Sequence, residues 1–156
     1  MADLVTVKVS GLDEIEKKLK LLPQRLGNNA LKRALRKGAN VIKAQAQANA
    51  QTIDDPQTRE NIAKNIAVAA GSAKRSREAG GLLMRVGVIG GARLSRGDNG
   101  APGGNTTHWR FVEFGTSTVQ ARPFMRNAMV SASEKAIEVT ATSMNTEIDK
   151  ELAKLK

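Results

Sequence analysis

The N-terminal part of the chain shows a strand pattern followed by a helical one. Residues 4–9 alternate between apolar and polar side chains and are rich in β-branched types, which predicts a first strand ending at Ser10-Gly11. The next apolar residues recur at the 3.6-residue spacing of a helix, with two acidic residues in its first turn. These apolar positions are Leu12, Ile15, Leu19 and Leu22, and Pro23 marks the boundary with the following element.

A much longer helix is predicted from Gln24 to about Gln51. On a helical wheel one side is apolar and the other is basic. The apolar side carries Leu31, Ala34, Leu35, Val41 and Ile42, and the basic side carries Lys32, Arg33, Arg36, Lys37 and Lys43. The Ala-rich second half, residues 44–50, has a high helix propensity but small side chains. This half is therefore either solvated or packed closely against a neighbouring element.

The middle of the chain predicts a short sheet followed by a loop. Residues 62–70 read as a helix end running into a strand, and residues 82–89 as a clearer strand. The polar segment 74–81 between them reads as the tip of a hairpin. Residues 90–107 contain six glycines and little apolar content, which predicts a long mobile Gly-rich loop.

The C-terminal third contains an aromatic segment and a second long helix. We predict a strand at Trp109–Phe114, a loop at Gly115–Arg122, and a helix that begins at Pro123. That helix continues through Met129, Ile137, Met144, Ile148 and Leu152. The charges of residues 134–156 are nearly balanced, which indicates an ordinary solvated helix face.

Strand alternation would place Trp109 and Phe111 on one face and Phe114 on the other. A sheet that is apolar on both faces is covered on both, either by its own helices or by another subunit. Glu113 and Arg122 flank the loop, and they either pair across it or are both exposed.

These elements predict an α+β fold. A small, mainly antiparallel β-sheet is packed by long N-terminal and C-terminal α-helices, with the Gly-rich loop at residues 90–107. A chain of 156 residues is consistent with a single domain, residues 1–156. With 40% hydrophobic but only 3% aromatic residues, its core consists mainly of aliphatic side chains.

The net charge of +10 is unevenly distributed along the chain. Nine basic residues and no acidic residue occur between Lys17 and Lys43. Such a surface favours an acidic partner. Three interpretations stay open for Lys32, Arg33, Arg36, Lys37 and Lys43: an ordinary solvated face, contact with an acidic protein, or contact with DNA.

Few features support catalysis. His108 is the only histidine and cysteine is absent, so a catalytic site that needs histidine, or a metal site of several histidines, would depend on one residue. The adjacent Asp54 and Asp55 are explained as residues that end a helix and begin a turn, without a bound cation. The glycine-rich stretches lack the layout of phosphate-binding loops. No apolar run approaches the roughly 20 residues that span a bilayer, and the N-terminus lacks a signal-peptide layout. We therefore predict a soluble protein that is not an enzyme, has no cofactor or metal, and does not contact a membrane.

All aromatic side chains lie within residues 109–124, where the order of residues is distinctive. Phe-Val-Glu-Phe-Gly-Thr at 111–116 and Ala-Arg-Pro-Phe-Met-Arg at 121–126 resemble the signature of the tail-completion or head–tail joining (neck) proteins of long-tailed bacteriophages, similar to minor tail protein Z. The resemblance extends more weakly to Ser10-Gly11-Leu12, to the long basic helix and to residues 58–62. There Thr58-Arg59 stands in place of the family's usual Thr-Gly.

This resemblance implies a structural virion protein. It implies a homo-oligomeric ring at the head–tail junction, hexameric like the tail, which acts in tail assembly and genome passage. Its partners would be itself, other neck or tail proteins, and DNA in non-specific contact during passage. It would be located in the neck or tail of the virion after assembly in the host cytoplasm.

We expect the aromatic segment to supply the contact between subunits or with a partner, and the Gly-rich loop to become ordered on assembly. The residues concerned are Trp109, Phe111, Phe114, Gly115, Thr116, Arg122, Pro123 and Phe124. The alternatives are a tail terminator or another head–tail connector ring and, from a different class, a basic nucleic-acid-binding module.

Overall fold

The computed structural model of the protein describes residues 11–54, 56–89 and 101–155. The elements in chain order are α1 (Leu12–Lys20), α2 (Gln24–Gln51), α3 (Ile62–Asn65), β1 (Ile66–Ala70), α4 (Ala73–Glu78), β2 (Met84–Val88), α5 (Trp109–Phe114) and α6 (Phe124–Ala153). The long helices near both ends and the small antiparallel sheet confirm the α+β prediction. The predicted strand at residues 4–9 and residues 90–100 of the Gly-rich loop lie outside the described residues.

The chain is divided into two compact units. The first contains the described parts of residues 1–39, 70–84 and 134–156, and the second contains those of residues 40–69 and 85–133. Helices α2 and α6 each contribute one part to each unit. That the chain forms a single domain stays a prediction.

The core of the first unit combines α1 with one part each of α2 and α6. Ile15, Leu22, Ala30 and Ile148 are its buried members. Gly11 precedes α1 with φ +84°, a left-handed conformation that favours glycine. The first turn of α1 contains Asp13 and Glu14, whose negative charge is favourable at a helix N-terminus. Of the four apolar positions in the predicted pattern, Ile15, Leu19 and Leu22 contribute to this core, whereas Leu12 is exposed.

Helices α2 and α6 approach each other closely at Gly38. A Cβ atom at this position would collide with Thr140 Oγ1 and would lie 2.7 Å from the carbonyl oxygen of Ala136. The Thr140 hydroxyl itself donates to that carbonyl at 2.7 Å. The approach therefore depends on the absence of a side chain at Gly38.

The core of the second unit is centred on Phe124, which is 1% exposed. Its buried neighbours are Ala46, Ala50, Ile62, Ala63, Ile66 and Ala128. The Ala-rich half of α2 is therefore packed closely against neighbours, which was one of its two predicted interpretations. Polar side chains of the same half secure the contact, because Gln47 Nε2 donates to the carbonyl oxygen of Ala63 at 3.0 Å.

Strands β1 and β2 form the two-stranded sheet of the described residues. Gly71 N donates to Leu83 O at 2.8 Å, and Ile89 N donates to Asn65 O at 2.8 Å, so Ile66 lies opposite Val88. The connection contains α4 at residues where we predicted a hairpin tip. These residues do join the two antiparallel strands, but they include a short helix, in which Ser72 Oγ accepts from Arg75 N and caps the first turn.

The predicted strand at Trp109–Phe114 is a helix, α5. Val112 N donates to His108 O at 3.2 Å and Gly115 N to Phe111 O at 2.9 Å, which is the helical pattern. Helical spacing lets Trp109 and Val112 pack against the core while Glu113 is buried beside them. These tertiary contacts override the strand preference of the aromatic residues.

The second part of the Gly-rich loop is held by the buried side chain of Asn65. Its Nδ2 donates to Gly104 O and to Thr106 Oγ1, both at 2.8 Å, and its Oδ1 accepts from Gly103 N at 2.7 Å. Gly103 and Thr106 are buried as well. Residues 103–106 are thereby fixed directly before α5.

Candidate functional site

Helix α5 exposes two phenylalanine side chains. Phe111 is 59% exposed and Phe114 is 63% exposed, three residues further along the helix. The predicted pairing of Trp109 with Phe111 on one face was wrong, because helical geometry places Phe111 with Phe114 and turns Trp109 toward the core. The segment therefore presents an exposed aromatic face.

The buried carboxylate of Glu113 joins α5 to the start of α6. It is 1% exposed and accepts hydrogen bonds from Met125 N at 2.9 Å and from Arg126 N at 3.0 Å. These amides belong to the first turn of α6, where helical backbone donors lack partners and negative charge is favourable. Glu113 thus fixes the angle between the two helices.

The ionic partner of Glu113 is Arg126. Arg126 Nε lies 3.2 Å from Glu113 Oε1, and its guanidinium also donates to the carbonyl oxygen of Glu113 at 2.6 Å. The same guanidinium lies 5.2 Å from the centroid of the Phe114 ring, a cation–π distance. Of the two predicted alternatives for Glu113 and Arg122, neither holds. Arg122 instead uses its backbone N to donate to Val112 O at 2.8 Å.

The loop after α5 is closed by Gly115 and Thr116. Gly115 has φ +74°, and a Cβ atom there would lie 2.8 Å from Ala121 N and 2.9 Å from Val119 O. Thr116 Oγ1 accepts from Val119 N at 3.0 Å, while Thr116 N donates to Val119 O at 2.9 Å. The tight turn therefore requires glycine first and a hydroxyl side chain second.

We define the aromatic surface as the large exposed apolar side chains of α5, this loop and the first turns of α6. Its members are Phe111, Phe114, Val119, Met129 and Val130. The other predicted contact residues are less accessible, since Trp109 and Pro123 are half-buried and Phe124 lies in the core. Arg110, Arg122 and Arg126 accompany the aromatic surface, and its one carboxylate, Glu113, is buried.

The basic side of α2 is partly neutralised within the first unit. Arg33 Nε donates to Glu147 Oε2 at 2.6 Å, its terminal nitrogen pairs with Glu151, and Lys37 Nζ lies 2.9 Å from Glu147 Oε1. Both glutamates are buried. The prediction of an ordinary solvated face for residues 134–156 was therefore wrong at these two positions.

This cluster shifts the pKa of its members. Hydrogen bonds from Lys37 and then Arg33 lower the pKa of Glu147 to about 2, against the opposing effect of burial. Hydrogen bonds from Lys154 and Arg33 lower the pKa of Glu151 in the same way. Both carboxylates are therefore ionised at neutral pH and hold Arg33 and Lys37 against α6.

One feature of the sequence is consistent with this cluster of charged side chains. Glu147 and Glu151 are spaced four residues apart, as are Arg33 and Lys37, but the two pairs are more than a hundred residues apart in the chain. Of the remaining predicted basic residues, Lys32 and Arg36 are exposed and Lys43 is half-buried. The structure thus separates the five residues into paired and unpaired sets.

The chemistry available elsewhere is limited. His108 Nδ1 lies 3.4 Å from Glu60 Oε2, and both side chains are more than two-fifths exposed. Within residues 11–54, 56–89 and 101–155, no group of three or more His, Cys, Asp or Glu residues is placed to hold a metal ion. In the same ranges no helix is long and apolar enough to cross a membrane.

Comparison with known families gives one match. The family model HK97-gp10_like, described as "Bacteriophage HK97-gp10, putative tail-component", matches residues 13–115. The matched region runs from the first turn of α1 to the glycine that ends α5. No curated protein and no solved structure matches the chain.

Proposed function

Because the chain belongs to the HK97-gp10-like family of bacteriophage tail components and so has a structural role in a phage tail, we propose that it is a neck or tail-completion subunit. In this proposal several copies, six by analogy with the tail, form a closed ring at the head–tail junction. The ring acts in tail assembly and surrounds the path of the genome. The structural role also supports the prediction that the chain is not an enzyme.

The aromatic surface is the observation that carries this proposal. Phe111 and Phe114 are neighbours on one helix face, and exposed apolar side chains that lie together, unlike single ones, commonly mark a contact surface. Aromatic residues also contribute strongly to interfaces. Glu113 holds α5 against α6, so the surface is presented on a rigid support. A ring needs such a surface on one copy to meet a different surface on the next.

The proposal gives each residue of the aromatic segment a role. Phe111 and Phe114 make the contact between subunits, and Trp109 and Phe124 belong to the core that supports α5. Gly115 and Thr116 shape the turn, while Arg122 and Pro123 lead into α6. Other neck or tail proteins are the further partners, with non-specific DNA contact during passage and assembly in the host cytoplasm.

The test is the mass of the purified protein by light scattering over a range of concentrations. We expect a discrete closed oligomer, which the double substitution Phe111→Ser/Phe114→Ser converts to monomer without changing the circular dichroism spectrum. The matched control is Leu12→Ser/Leu21→Ser, which removes two exposed leucines, one at the start of α1 and one directly after its end, and should leave the oligomer intact.

A second assay tests the case in which the ring forms only when other virion proteins are present. Tails made without this protein are supplied with the purified wild type or with either variant, and completed virions are counted. The proposal fails if the wild type is a monomer and the phenylalanine variant still completes virions as well as the wild type does.

A further inference from the structure

A second surface lies entirely within the first unit, between α2 and the segment that connects β1 to β2. It is a groove of about 520 Å³. Lys32, Arg33 and Arg36 line it from α2, and its apolar lining includes Ala70, Leu82, Leu83 and Met84. No acidic residue is among its lining residues. We call this surface the basic groove.

The molecule already shows how the basic side of α2 binds an acidic helix. Arg33 and Lys37, four residues apart on α2, hold Glu147 and Glu151, four residues apart on α6. Residues with this spacing lie on one face of a helix, about 5–6 Å apart at their Cβ atoms. Two rows of side chains with equal spacing therefore meet in register.

Lys32 and Arg36 form the neighbouring row with the same spacing. Both side chains are exposed, and neither has an acidic partner within the described ranges. Each of these residues directly precedes a member of the pair Arg33 and Lys37, so the row is rotated by about 100° around the helix axis from that pair. Lys32 and Arg36 both line the basic groove. The same chemistry that binds α6 is thus available there.

The apolar wall of the groove selects among acidic ligands. Leu82, Leu83 and Met84 are half-buried and would pack against an apolar side chain, which a DNA backbone does not have. The aromatic surface of a second copy fits poorly, since Arg110, Arg122 and Arg126 accompany it and would be repelled by Lys32 and Arg36. An acidic and apolar helix satisfies both walls.

We infer that the basic groove is a docking site for a helix of a partner protein. This helix carries two carboxylates four residues apart, with a leucine-like side chain on the same face. The carboxylates pair with Lys32 and Arg36, and the apolar side chain packs against Leu82, Leu83 and Met84. The inference does not depend on ring formation, because the groove and the aromatic surface share no residue.

The test is binding of a fluorescein-labelled helical peptide to the full-length protein, measured by fluorescence anisotropy. The probe carries two glutamates four residues apart and leucines on the same face. Two matched peptides replace either the glutamates by glutamine or the leucines by alanine, and a random DNA duplex is the fourth probe. We expect the first peptide to bind, and each replacement to weaken binding by about tenfold.

Variants of the protein test whether the peptide binds in the basic groove. Lys32→Glu/Arg36→Glu should weaken binding of the acidic peptide by about tenfold or more. Arg59→Glu/Lys64→Glu changes the net charge equally at two exposed residues outside the groove, and it should retain most of the affinity. Circular dichroism establishes that both variants are folded.

Three results would overturn the inference. The first is absence of peptide binding, or equal binding of the glutamine peptide. The second is a duplex that binds more tightly than the peptide and depends on Lys32 and Arg36, which identifies a DNA site. The third is an oligomer that is lost only in Lys32→Glu/Arg36→Glu, which identifies a second copy as the occupant.

Discussion

Glu113 shows how one side chain connects two elements. The sequence predicts either an ion pair between Glu113 and Arg122 across the loop or exposure of both side chains. In the structure the carboxylate lies in the interior and accepts from the first turn of α6 and from Arg126. A buried carboxylate is stable there because several donors, one of them charged, replace its hydration.

Substitution Glu113→Gln should destabilise the protein by about 2 kcal/mol. The amide keeps one acceptor oxygen, but it loses the charge that favours the helix N-terminus and places an NH₂ group against backbone donors. Urea unfolding followed by circular dichroism measures the change. The control Glu138→Gln removes an exposed pair with Lys135 and should cost about 0.5 kcal/mol or less. Equal midpoints for the two variants would contradict the capping role.

The lowered pKa of Glu147 predicts how the free energy of unfolding depends on pH. The pKa of Glu147 is lowered from 4.5 to about 2 in the folded protein, so the unfolded chain takes up its proton first as the pH falls. Its stabilising contribution is complete above about pH 4.5 and is lost as the pH falls through about 2.

Substitution Glu147→Gln should therefore lower the melting temperature at pH 7, and the difference from the wild type should disappear near pH 2. Melting curves by circular dichroism between pH 7 and pH 2 measure this difference. The exposed Glu134→Gln serves as the control and should follow the wild type throughout. A constant difference between Glu147→Gln and the wild type across the pH range would show that the loss is one of packing alone.

At the scale of elements, the helical conformation of α5 and the close approach of α2 to α6 depend on tertiary contacts. These contacts cannot be predicted from the local sequence. Trp109–Phe114 has aromatic and β-branched residues typical of a strand. As a helix, however, it packs the half-buried Val112 against the core and buries Glu113, while Gly115 ends it with a positive φ. The crossing of the long helices depends similarly on one glycine, Gly38.

Two glycines of α2 should respond oppositely to alanine. Gly38→Ala should destabilise by about 1–3 kcal/mol, because the added methyl group collides with Thr140 and Ala136. Gly27→Ala should stabilise by about 0.5–1 kcal/mol, since its Cβ would lie 3.4 Å from Leu19 Cδ2, an ordinary contact, and alanine favours helix. Urea unfolding tests both variants. If Gly38→Ala is as stable as Gly27→Ala, the helices are not in close contact at this position.

At the scale of the whole molecule, the net charge of +10 is the property most relevant to the path of DNA through a tail. Arg33 and Lys37 are neutralised by Glu147 and Glu151, so the charge available to phosphate is spread over the remaining surface. Such a distribution favours weak contact without a defined site.

Affinity for a random duplex should therefore be weak and depend on salt. If two phosphates are contacted, it falls about tenfold between 50 and 200 mM salt. Lys32→Glu/Arg36→Glu and Arg59→Glu/Lys64→Glu should reduce it to the same extent, since each changes the total charge equally. Fluorescence anisotropy with labelled DNA measures both effects. A loss confined to the first variant would favour the nucleic-acid-binding module over the proposed tail subunit.

The sequence by itself determined the elements whose periodicity is long or strong. Helices α1 and α2 occur where the spacing of apolar residues predicted them, because burying one face of a helix requires that spacing. Helix α6 and strands β1 and β2 also occur where they were predicted, from the proline that opens the helix and from the residue preferences of the strands. The residues around Phe111 and Phe124 also indicated a family of phage tail or neck proteins, and the match over residues 13–115 confirms a phage tail component.

Only the tertiary structure decided that Trp109–Phe114 is a helix, that Glu113 caps α6, and that Arg33 and Lys37 bind Glu147 and Glu151. Arg33 and Glu147 are separated by 114 positions along the chain. Local propensity carries no information about a partner at that distance, and a short aromatic segment can bury its side chains as a strand or as a helix. Packing against the rest of the chain decides which of these conformations has the lower free energy.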